Sequence, residues 1–135
     1  MSNKRPPLFY KGRSLGIVIL TVAQLFIGVI HFLFGLLLLA SEAPIMQATV
    51  SYDVYTLVFA VLVIVFAGYI WQGKSAGWIG TIAVLLFVIA ADSLVVLNLP
   101  SIPGLPKFAA PTEIIYGLVV VLYLLQSGIR KKYLG

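Results

Sequence analysis

The chain has 135 residues, 61% of them apolar and only 10% charged, with a net charge of +5. A soluble domain carries about a quarter charged residues, so a soluble fold of this chain would expose large greasy patches; disorder, which needs low hydrophobicity and high charge, is excluded too. The basic residues gather at the termini rather than on a face with stacking aromatics, which argues against nucleic acid. The absence of cysteine removes disulfides, thiolate metal sites and thiol nucleophiles.

Crossing a hydrocarbon core of roughly 30 Å takes about 20 helical residues. Four stretches qualify. The first, 14–40, holds no charge. Its apolar run exceeds the roughly 7–15 residues of a signal core, so it reads as a span. The second, 54–71, contains Val61-Leu62-Val63-Ile64-Val65-Phe66. In water that run suggests a buried strand, but an open strand in lipid leaves backbone groups unsatisfied. Barrel strands alternate apolar and polar residues, and this run does not. The third span, 76–97, carries one charge, Asp92; the fourth is 112–127. The expected fold is all-α: a polytopic membrane protein, one domain forming a four-transmembrane-helix bundle.

Charge sorting sets the orientation. If the spans alternate, Lys4, Arg5, Lys11, Arg13, Lys74, Arg130, Lys131 and Lys132 fall on one side and Lys107 alone on the other. The positive-inside rule makes that side cytoplasmic, giving N-in/C-in in the cell membrane. Glu42, Asp53 and Glu113 flank the outer ends. Tyr69, Trp71 and Trp78 mark the inner interface, and Tyr52, Tyr55 and Tyr116 the outer one.

The outer loop 98–111 contains four prolines and so cannot be one continuous helix. Leu99, Ile102, Leu105 and Phe108 recur every three residues, the polyproline II period, giving one apolar edge. That edge is either part of a stiff connector or a docking surface for a partner.

Among intramembrane polar groups Asp92 leads. It lies roughly 8 Å below the outer interface, where a carboxyl is costly and normally faces the bundle interior or a partner. Protonation, a hydrogen bond to Ser93 or Asn98, or a cation would each accommodate it. His31 shares that leaflet, within about 6 Å of the same depth, so a His31–Asp92 pair is geometrically allowed. The plainer alternative is that each bonds a neighbouring helix. Gln24 reads as interhelical glue. Gly12 and Gly16, Gly28 and Gly35, and Gly77 and Gly80 supply small surfaces for close helix packing. One histidine and four scattered acids show no ligand spacing, so no metal is expected. Nothing resembles a nucleophilic triad or a phosphate-binding loop, so neither an enzyme nor a cofactor is expected.

Arg13-Ser14-Leu15-Gly16-Ile17-Val18-Ile19-Leu20-Thr21-Val22-Ala23-Gln24 and Lys74-Ser75-Ala76-Gly77-Trp78-Ile79-Gly80 resemble a broad population of small four-span prokaryotic and archaeal membrane proteins. These share a basic-plus-glycine approach to span one and a Lys/Arg-x-x-Gly/Ala-Trp approach to span three. The resemblance implies a fold and lends no activity. The expected role is a structural or accessory subunit of a larger membrane complex, in contact with the bilayer and with other membrane subunits or further copies of the chain. The alternative is a small oligomeric transporter or channel using Asp92 with His31. A redox or lipid-modifying enzyme ranks last.

Overall fold

The computed structural model describes residues 14–42, 47–103 and 105–134. Among them the regular structure is entirely helical: α1 (Leu15–Glu42), α2 (Gln47–Trp71), α3 (Ser75–Val96), α4 (Ala110–Leu125) and α5 (Ser127–Leu134). Three of these, α1, α2 and α3, are long and apolar enough to cross a membrane; a fourth span exists only if α4 and α5 count as one bent pair. Lipid explains why. With no water to satisfy exposed backbone groups, the Val/Ile-rich run of α2 takes the one local structure that pairs them internally.

The long helices pack in chain order, α1 on α2, α2 on α3 and α3 on α4. Each buries one stripe. On α1 it runs through Ile17, Leu20, Thr21, Gln24, Gly28 and Gly35; on α3 through Gly77, Thr81, Leu85, Val88 and Asp92. The opposite faces expose Phe26, Leu33, Leu37, Phe87 and Leu122. Such surfaces suit hydrocarbon and would aggregate in water.

Two helices end in the same way. Gly73 (φ +78°) closes α2, with Lys74 N–H donating to Tyr69 O at 3.0 Å and Gly73 N–H to Ile70 O at 3.1 Å. Asn98 (φ +61°) closes α3, with Leu99 N–H to Leu94 O at 2.8 Å and Asn98 N–H to Val95 O at 3.0 Å. Both are left-handed caps, for which Gly and then Asn are the residues of choice. Asn98 is therefore an exposed helix stop.

The structure departs from the sequence expectation in α2 and in α4. Helix α2 starts at Gln47, not 54, because Gln47–Asp53 continues the helix beyond its apolar run. Asp53, expected to flank the outer end, is fully buried on the stripe that continues through Thr56 and Ala60. The fourth helix stops at Leu125 rather than 127. Gln126 adopts an extended backbone (ψ 141°) and α5 leaves at 69°. The break takes the Leu124 carbonyl out of the helical ladder, and Trp78 Nε1–H donates to it at 2.8 Å. Beyond the bend, Tyr133 is buried and its hydroxyl donates to Ile70 O at 2.7 Å, while Arg130, Lys131 and Lys132 stay exposed. Helix α5 thus covers the end of the molecule where Lys74 also lies, the basic end. Trp78→Phe leaves the Leu124 carbonyl without its donor. It should cost about 1–3 kcal/mol, read as a lower midpoint of thermal unfolding in mild detergent.

The two ends are packed differently. At the basic end Ile17, Leu20, Ile70, Val121 and Leu124 form a continuous apolar core closed by Tyr133. At the opposite end, where the proline loop lies, the interior opens.

Candidate functional site

Helices α1 and α4 hardly approach through their backbones; long side chains join them instead. Near the basic end Tyr123 lies against Gly16, where an added Cβ would strike its ring, and its hydroxyl meets Ser14 Oγ at 3.2 Å. Farther along, the Tyr116 hydroxyl donates to Gln24 Oε1 at 2.6 Å. Gln24 is 2% exposed, so this bond satisfies an amide oxygen that has no water. The other glycines serve the tighter contacts: Gly28 and Gly35 of α1 meet Ile64 and Leu57 of α2, and Gly77 and Gly80 of α3 meet the Tyr69–Ile70 backbone and Phe66. Gly12 lies outside the described residues. Close backbones at α1–α2 and α2–α3, with tyrosine-length spacers at α1–α4, produce an asymmetric ring of helices. Tyr116→Phe should loosen the α1–α4 seam and cost about 1 kcal/mol, measured as a drop in the thermal midpoint.

Beyond Tyr116, toward the proline loop, that spacing leaves a cavity of about 240 Å³. His31 lines it from α1, Tyr52, Tyr55 and Phe59 from α2, Val88 from α3, and Glu113 and Tyr116 from α4. Leu105 of the proline loop lies across it. The loop is fixed there by Ser101 Oγ, which donates to Ala91 O at 2.9 Å, and by Lys107 Nζ, which donates to Asn98 Oδ1. The four apolar loop residues divide: Leu105 lines the cavity, Ile102 is half-buried, and Leu99 and Phe108 are exposed, Phe108 at 89%.

Asp92 stands behind this cavity. It is fully buried, and the bonds to Ser93 or Asn98 that the sequence allowed are not made. Nor is it joined to His31. The His31 Nδ1–H donates to Ile27 O at 2.8 Å, and the ring packs edge-on against Phe59 at 5.3 Å. That bond fixes the donor nitrogen, so a neutral His31 keeps Nε2 as an acceptor. The group that acts on Asp92 is Glu113, and both acids act electrostatically on Tyr55. The structure therefore gathers His31, Glu113 and three tyrosines around one cavity, with Asp92 beside Glu113.

Glu113 and the tyrosines were missed as site residues because each also fits an interfacial position. The available signal was their spacing. Tyr52, Tyr55 and Phe59 fall at i, i+3 and i+7 on α2, and Glu113 and Tyr116 at i and i+3 on α4, each set on one helix face. No group of three or more His, Asp or Glu side chains among the described residues is arranged to hold a metal. In comparisons with protein-family models, curated proteins and solved structures, nothing matches the chain.

Proposed function

We propose that this is a multi-pass protein of a prokaryotic cell membrane, with four spans and both termini in the cytoplasm, acting as an accessory subunit of a larger membrane assembly. The basic end, with Lys74, Arg130, Lys131 and Lys132, is then cytoplasmic and the proline end faces outward. Helix α5 lies along the inner interface, its lysines toward headgroups and Tyr133 toward the core. The observation that carries the accessory role is how the interior polar groups are spent. Tyr116–Gln24, Ser14–Tyr123, Trp78–Leu124 and Tyr133–Ile70 all hold helices together, and none sets a base against a nucleophile. Exposed Phe108 and Leu99 at the outward end offer a partner an apolar foothold. Extraction in mild detergent followed by native electrophoresis should find the chain in a larger complex; a lone monomer would refute this role.

A second reading has its own observation. Asp92 is buried against a second carboxyl, Glu113, as in a protein that moves a proton or cation. A path across the membrane would need several copies, since the basic end of one copy is packed solid. Proteoliposome flux abolished by Asp92→Asn would favour this small oligomeric transporter; no flux from the parent protein would refute it.

A further inference from the structure

The cavity at the proline end has the composition of a ligand site: apolar walls with a few convergent polar groups. At about 240 Å³ it is smaller than the roughly 300 Å³ at which ordinary ligand pockets begin, so its occupant is compact. Four aromatic rings, those of Tyr52, Tyr55, Phe59 and Tyr116, line it together with the Glu113 carboxyl. Asp92, wholly buried beside Glu113, adds a second carboxyl.

Among the described residues no Lys or Arg lines the cavity to offset this. Among the described residues Lys107 is the basic side chain at this end, and its ammonium is bonded to Asn98. Aromatic faces and carboxylates favour the same kind of guest, a weakly hydrated organic cation. We propose that the cavity binds a small monovalent organic cation, an ammonium on a compact apolar body, with its charge toward Glu113 and Asp92 and its body among the four rings. A zwitterionic phosphate-bearing headgroup fits poorly, because its phosphate would meet Glu113 and no Lys or Arg lines the cavity. This inference holds whether the chain works alone or in an assembly, because all the lining residues belong to one copy.

Tyr55, Phe59 and Val88 also border a wider apolar space of about 470 Å³ between α2 and α3, whose other walls include the exposed Val58 and Phe87. An alkyl chain lying in that groove would place its ammonium head in the cavity. The cation thus has two possible sources, the outer aqueous phase or an alkylammonium dissolved in the leaflet.

The test is equilibrium binding to the full chain in lipid nanodiscs. Benzyltrimethylammonium should bind saturably at one site per chain. Its neutral carbon isostere neopentylbenzene, and phosphocholine, should bind at least about tenfold more weakly. Glu113→Gln and Asp92→Asn should each weaken benzyltrimethylammonium binding at least about tenfold. Phe59→Leu, which leaves both acids in place, should weaken it about threefold. Tighter binding of decyltrimethylammonium than of the benzyl compound would support a membrane-dissolved source; equal affinity would support an aqueous one. Absence of saturable binding would overturn the proposal. So would neopentylbenzene binding as tightly as the cation, a comparison that needs no variant to fold.

Discussion

Gly77→Ala should destabilise the protein by about 3 kcal/mol, the largest effect expected from a single methyl group here. Helix α3 begins against the end of α2, and an alanine Cβ at position 77 would fall 2.5 Å from Ile70 N and 2.7 Å from Tyr69 C. These are backbone atoms, so no rotamer change relieves the clash; the two helices have to part. The short turn through Gly73 ties them together at that point, and Trp78, the next residue, carries the bond to Leu124. Parting α2 from α3 therefore also pulls on the α4–α5 bend. Gly68→Ala is the matched control. Nothing lies within 4 Å of a Cβ there, so stability should hold or rise slightly through better helix propensity. Thermal unfolding of the two variants in one detergent makes the comparison, and equal midpoints would contradict the close approach of α2 and α3.

Asp92→Leu should work in the opposite direction and raise stability by about 1–3 kcal/mol. A fully buried carboxyl set against a second carboxyl is a cost to the fold unless something outside the chain offsets it. An apolar side chain of similar size removes that cost. The same substitution should abolish binding of benzyltrimethylammonium, so stability rises as binding is lost, the trade-off expected of a functional site. Were Asp92 a structural link between helices, Asp92→Leu would lower the midpoint instead.

The spans were legible because lipid leaves few choices. Long uncharged runs have to be helices, and the positions of Lys74 and the prolines delimited them well. What was not legible lay where two physical demands compete. The basic tail after Gln126 reads as a solvated charge cluster, yet Ile129 and Tyr133, four residues apart, give α5 an apolar edge that folds back under the molecule. Asp53 reads as an interfacial acid beside an apolar run, yet the helix extends past it and buries it. Of the site, Asp92 and His31 stood out because an ionisable group in hydrocarbon is expensive. Their relation did not follow from depth alone, because rotation about each helix axis decides which neighbour a side chain meets. His31 turned to Ile27 and Phe59, and Asp92 to Glu113. The cavity itself comes from the spacing of α1 and α4, set by Tyr116 and Tyr123 reaching across to Gln24 and Ser14, and no local pattern reports a distance between helices.

The arrangement of this protein in its membrane underlies every functional statement above, and the absence of native cysteine makes it directly measurable. Single cysteines at Lys74, Phe108 and Gly128, all exposed positions, would be treated in intact cells with a membrane-impermeant maleimide. Labelling of Phe108→Cys alone, with Lys74→Cys and Gly128→Cys reacting only after the cells are opened, is the predicted result. Labelling of Gly128→Cys or Lys74→Cys from the same side as Phe108→Cys would contradict it.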